Sequence, residues 1–172
     1  MTQSLSTTNN ENNVYSSRPV VLSMIEDFLT RALVVSNLDV ASRKRLFESL
    51  ATLIVEKSDI ELVFEDVLQT LNERERLGST GIGKGIALPH GRIDALDTPI
   101  IAVARLCDGI AYDAPDNTPV WLAVCLLVPK DANEIHLQLL SKLASSFQDD
   151  QFVQRIKKAP NTSLLYDLFI EI

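Results

Sequence analysis

Between Gly78 and Gly91 the chain reads GSTGIGKGIALPHG, gathering five of its six glycines around Lys84 and closing on proline and His90. Near neutral pH an unprotonated imidazole nitrogen can attack phosphorus, and the resulting bond stays energetic enough to pass the group on. His90 follows Pro89 at the end of an apolar, strand-like stretch, which puts its ring on a stiff support at a rim. Arg74 and Arg76 lie at the end of the preceding helical segment. Their guanidinium groups, with unhindered glycine N–H groups, are the donors an anion requires.

Other readings of the same stretch fare worse or stay open. Gly78, four residues, Gly83 and Lys84 match the opening of a nucleotide-binding loop, but position 85 is Gly where Ser or Thr would ligate magnesium. Ile-Ala-Leu-Pro then follows where that loop needs a helix. Gly81, Gly83 and Gly85 do not form G-x-G-x-x-G either. Taken alone, the glycines fit irregular backbone at positive φ between a helix and a strand, with no ligand. By spacing alone, His136 is a polar residue on the exposed start of a helix. Lys84 and Arg76 read as solvated charges, and Glu73 and Glu75 pair with nearby arginines or face a partner, with nothing to decide between the two.

The elements that must position these groups change period along the chain. Residues 1–18 are rich in Ser, Thr and Asn and too poor in apolar groups to offset the entropy of ordering, so they read as a flexible polar tail. Folded sequence begins near Pro19, with a short helix carrying Leu22, Ile25, Phe28 and Leu29, then a strand at 32–35. Asp39 is the expected cap of a helix with Leu46, Leu50, Leu53 and Ile54 on one face, ending near Lys57. Leu62, Val63, Val67, Leu68 and Leu71 make a second amphipathic helix that closes in the charged 73–76 stretch. Apolar runs at 86–88, 99–106 and 120–128 read as strands, the last one central and covered on both faces. Three helices follow, the last capped by Asn161 or Thr162. The fold class is α/β: one domain over 19–172, with a mixed parallel and antiparallel central sheet flanked by helices on both faces.

A formal charge of −7 and a pI near 4.8 leave no basic stripe for a nucleic-acid backbone. Cys107 and Cys125 each sit in an apolar run and read as buried thiols. The two histidines lack ligand-spaced partners, so neither a metal nor another cofactor is expected. No run approaches the length of a membrane span and no secretory signal opens the chain, so the expected location is the cytoplasm, without membrane insertion.

The run RERLGSTGIGKGIALPHG from Arg74 to Gly91, with its specific I-A-[LIV]-P-H-G core, resembles the active-site segment of the fructose/mannitol-type enzyme IIA domains of the bacterial phosphoenolpyruvate-dependent phosphotransferase system. Its Gly-Ser-Thr-Gly-Ile-Gly wording is most similar to the nitrogen-regulatory branch. Similarity runs from about Leu22 to the C-terminus and includes Asp116-Asn117 and the Leu-Leu-Val-Pro of 126–129. The resemblance implies that His90 accepts a phosphoryl group from an HPr-like histidine phosphocarrier protein of the nitrogen branch. It further implies that Arg74 neutralises the phosphate and that His136, in Asn133-Glu-Ile-His-Leu, donates a hydrogen bond to it. The implied output is regulatory, through protein partners such as ion-transport subunits or sensor kinases. Two other functions are weighed against this: a IIA component of fructose- or mannitol-type sugar uptake, and a docking module without phosphotransfer. The expected single domain without membrane span or exposed-looking cysteine weakens the sugar-transport reading without excluding it, since the partner can be a separate chain, and the presence of Arg74, His90 and His136 speaks against the docking module.

Overall fold

The computed structural model describes residues 24–172; the expected 1–18 tail, the start of folded sequence at Pro19 and the Leu22 position lie outside the described residues. Six strands form one sheet in the order β1-β5-β6-β3-β2, with β4 also on β6. They are β1 (Val34–Leu38), β2 (Gly81–Gly83), β3 (Ile86–Ala87), β4 (His90–Ile93), β5 (Ile100–Ile110) and β6 (Val120–Pro129). β1 runs parallel to β5, β5 antiparallel to β6, β6 parallel to both β3 and β4, and β3 antiparallel to β2, so the sheet is mixed as expected. Five helices pack on it: α1 (Arg43–Lys57), α2 (Phe64–Arg76), α3 (Asn133–Ser146), α4 (Asp150–Lys158) and α5 (Thr162–Phe169).

β6 is the spine. Successive strand residues face opposite sides of a sheet. Leu122 through Val128 are all fully buried, so helices must cover both faces. β3 and β4 lie in turn along the same edge of β6, Ile86 opposite Leu122 and His90 opposite Leu126. They are one strand interrupted at Leu88-Pro89. Pro89 still accepts from the Leu126 N–H, while the Leu88 N–H turns the other way to the Thr80 carbonyl.

Several local expectations are corrected. The 24–28 segment makes one hydrogen-bonded turn on the Ile25 carbonyl and is followed by a 3₁₀ turn at Arg31–Leu33, so among the described residues no α-helix precedes β1. A helix cap stands two or three residues ahead of the free N–H it serves. Ser42 does so, its hydroxyl accepting from the Arg45 N–H at 3.2 Å, and Asp39 lies too far upstream. Asn161 caps α5 through the Leu164 N–H, as expected. Cys125 is buried and its thiol is pushed up to about 12 by burial, but Cys107 is exposed. The β5–β6 register breaks between Arg105 and Ile110, which turns residues 107–109 outward. Trp121 is only partly buried; its indole N–H donates to the Lys84 carbonyl.

The glycines are explained by packing and turn geometry. Lys84 and Gly85, at φ 57° and 76°, form the two-residue tip of the β2–β3 hairpin, a turn that requires positive φ at both positions. A side chain on Gly85 would overlap the Trp121 indole, and one on Gly91 would overlap Thr70 of α2.

Candidate active site

Three elements converge on one cleft of about 630 Å³ lined by Thr70, Glu73, Arg74, Arg76, Leu77, His90, Gly91, Arg92 and His136. α2 ends there and brings Arg74; β4 begins there and brings His90; the first turn of α3 brings His136. Close packing of α2 on Gly91 lets the helix end approach the strand. The three side chains singled out in the sequence thus share one site.

The hydrogen bonds specify which His90 nitrogen carries the proton and which the lone pair. His90 Nδ1 lies 2.8 Å from the Leu88 carbonyl oxygen, which can only accept, so Nδ1 carries the proton. Arg74 Nε–H donates to His90 Nε2 at 3.1 Å, so Nε2 carries the lone pair. The Leu88 carbonyl is free for this because its own strand pairing stops at the Pro89 interruption. Arg74 is itself oriented by a second bond, from Nη1 to the Gly78 carbonyl at 2.9 Å.

His136 lies edge-on to His90 with ring centroids 5.2 Å apart. It is buried, not on an exposed helix start, and neither ring nitrogen has a hydrogen-bond partner among the described residues. Buried polar atoms without partners are rare and costly. Both His136 nitrogens are thus open to a hydrogen bond from the cleft side.

Both rings are held neutral. Burial lowers the His90 pKa below its ordinary 6.5, Arg74 adds to this, and the Leu88 bond and Glu75 oppose it. His136 is pushed down to about 4, by burial first and then by His90, Arg92 and Arg74. A base whose pKa is depressed by folding refuses protons that the unfolded chain takes up, so stability falls as pH drops from 6.5 toward 4. The thermal midpoint is expected to be lower by a few degrees at pH 5 than at pH 7. His136→Asn should flatten that dependence; an undiminished slope would exclude His136 as its source.

The glycine loop is not a cradle. The Gly78 N–H goes to the Glu75 carbonyl, Thr80 N–H to the Glu75 side chain, Gly81 N–H to Ser79 and Lys84 N–H to Asp116. Those donors are spent inside the fold, and residues 79–85 do not line the cleft. Lys84 points elsewhere, its ammonium 2.7 Å from Asp150 and donating to the Phe147 and Gln148 carbonyls just past α3.

Arg92 escaped the sequence reading, which takes Arg76 for a solvated charge. Arg76 reaches the cleft, not open solvent alone. Arg92 donates to the Lys130 carbonyl and the Asn133 side chain, tying β4 to the start of the helix that carries His136. Its position two residues past His90, on the same strand face, was the available signal.

The fold and site define an α/β sheet protein that gathers two neutral imidazoles and a guanidinium in one cleft. The family described as phosphoenolpyruvate-dependent sugar phosphotransferase system, EIIA 2, matches residues 27–172. The chain is 36% identical over 151 residues to a nitrogen regulatory protein of Pseudomonas aeruginosa, covering 86% of this chain and 96% of that one. It is 33% identical over 132 residues to a PTS system fructose-specific EIIA component of Haloferax volcanii, covering 77% and 85%. The crystal structure of nitrogen regulatory protein IIA-Ntr from Neisseria meningitidis superposes with a TM-score of 0.79 at 36% identity, covering 84% of this chain and 98% of that one. The chain belongs to the phosphotransferase-system EIIA type-2 family. Among the described residues no helix is long and apolar enough to cross a membrane.

Proposed function

We propose that this protein is a phosphohistidine relay of the nitrogen-regulatory type, with His90 Nε2 as the acceptor. The carrying observation is the pair of bonds on the His90 ring, Nδ1 to the Leu88 carbonyl and Nε2 to Arg74. In the transfer, the donor's N–P bond breaks and the Nε2–P bond forms. The donor imidazole keeps the electron pair, and the His90 ring, still protonated at Nδ1, gains positive charge that the Leu88 carbonyl stabilises. Arg74 exchanges its contact with the lone pair for contacts with phosphoryl oxygens, and His136 turns an unpartnered N–H to them. Such transfers need positioning and charge stabilisation more than covalent help from the acceptor.

The donor is an HPr-like histidine phosphocarrier protein of the nitrogen branch, and the targets are proteins such as ion-transport subunits or sensor kinases. Phosphorylation adds roughly −1.5 to −2 of charge at the cleft, which repels surfaces that accept the neutral face. The resemblance to named nitrogen regulatory proteins supports the regulatory output. The Haloferax relative's name favours sugar uptake as the second reading. Exposed Cys107 withdraws one reason against it, the lack of a surface thiol.

Incubation with the phosphorylated carrier is expected to add one acid-labile, base-stable phosphoryl group, with ¹⁵N-coupled ³¹P resonances placing it on Nε2. A label on Nδ1, or no label, would contradict the assignment. A phosphoryl group that passes onward to a sugar-system IIB protein would favour the second reading.

A further inference from the structure

Glu75 occupies the buried stripe of α2, one turn past Leu71 and two past Val67, where an apolar side chain would be expected. Its carboxylate accepts from the Thr80 N–H at 3.1 Å, from the Thr80 hydroxyl at 2.6 Å and from the Tyr112 hydroxyl at 3.3 Å. Arg43 of α1 lies 3.7 Å away. Burial pushes the Tyr112 hydroxyl well above its ordinary range, so it stays a donor.

This network leads to both halves of the reactive site. Thr80, held by three contacts to Glu75 and Tyr112, uses its carbonyl to take the Leu88 N–H at 2.9 Å. Leu88 in turn presents its carbonyl to His90 Nδ1. In the other direction, the 78–80 segment that Glu75 pins carries the Gly78 carbonyl, which orients Arg74. The Gly78 N–H is also bonded to the Glu75 carbonyl. One side chain therefore fixes the segment on which the acceptor's tautomer and the guanidinium both depend.

We infer that Glu75 is a positioning residue for phosphoryl transfer, acting through Thr80 and Gly78 to hold His90 in its Nδ1–H tautomer and Arg74 against Nε2. This rests on the reading of His90 as the acceptor. A neutral core residue could fill the same space, yet the site has a carboxylate whose lone pairs are used on the loop between helix and histidine. The charged and titratable groups around His90 among the described residues are Glu73, Arg74, Glu75 and Arg76 from α2, Arg92 from β4 and His136 from α3. Of these, only Glu75 is anionic and linked to the ring through bonded segments.

The test uses the full chain with ¹⁵N-labelled histidine. Ring resonances report tautomer and pKa, and single-turnover transfer from the phosphorylated carrier reports rate. Glu75→Ala, studied at a temperature where circular dichroism shows it folded, is expected to mix the His90 tautomers and slow transfer roughly 10- to 100-fold, the scale of a misplaced reacting group. Glu75→Gln keeps an acceptor for the Thr80 N–H; it should retain the tautomer, lower the His90 pKa because the attracting charge is gone, and slow transfer less. A folded Glu75→Ala with wild-type tautomer and rate would overturn the inference. Should that variant not fold, an unchanged His90 pKa and rate in Glu75→Gln would do the same. Absence of label on the wild type defeats the acceptor reading itself, and the tautomer measurement still decides whether Glu75 orders the ring.

Discussion

Replacing His90 by alanine is expected to abolish phosphorylation by the carrier outright, while His136→Ala still accepts the group but roughly 10²- to 10³-fold more slowly, as when one donor to a developing charge is removed. The asymmetry follows from the two rings' surroundings. Nε2 of His90 has a lone pair directed into the cleft by a proton fixed on Nδ1, so its loss removes the proposed nucleophile. His136 sits beside it with no fixed tautomer, and no bond among the described residues aims either nitrogen, so it can supply a hydrogen bond but has no orientation for attack. Intact-mass measurement at alkaline pH, before and after acid treatment, separates the two variants. Label on His90→Ala would mean that another nitrogen is the acceptor.

Arg74→Lys is expected to leave the fold intact and slow transfer roughly 10²-fold. Arg74 makes two contacts at once from one planar group, Nε to His90 and Nη1 to the Gly78 carbonyl. An ammonium is a point charge on a flexible stem and cannot reproduce the fork. It retains the positive charge but not the direction, so a large effect would locate Arg74's contribution in geometry. The measurement is the single-turnover rate together with the thermal midpoint; equal rates for the two proteins would take Arg74 out of the reaction.

Part of this site was legible in the sequence: His90 and Arg74 stood out beside apolar runs with clear periods, whereas His136 was assigned a role only through the family resemblance, its spacing alone favouring an exposed helix start. The spine strand could be read from its unbroken hydrophobicity, and the α2 boundary from the charged stretch that ends it. What escaped the reading depends on pairing across the chain. β2 is only Gly81–Gly83 and β4 only His90–Ile93, and neither has an apolar alternation; each is a strand because a neighbour offers it a ladder. The glycines suggested free amides for an anion, yet those amides were taken by Glu75, Ser79 and Asp116, partners that local composition does not reveal. Glu75 was the most misleading residue, since a carboxylate between two arginines looks like a surface charge. Its four-residue spacing from Leu71 was the sign that it points inward.

The strand broken at Leu88-Pro89 sets a limit on how this molecule can work. Both fragments are laced to one central neighbour, so His90 cannot travel without tearing pairings on either side of the gap. A carrier built this way has no swinging arm. Under the proposed function, donor and recipient must each come to a stationary acceptor, and traffic through the cleft is ordered by competition for one berth.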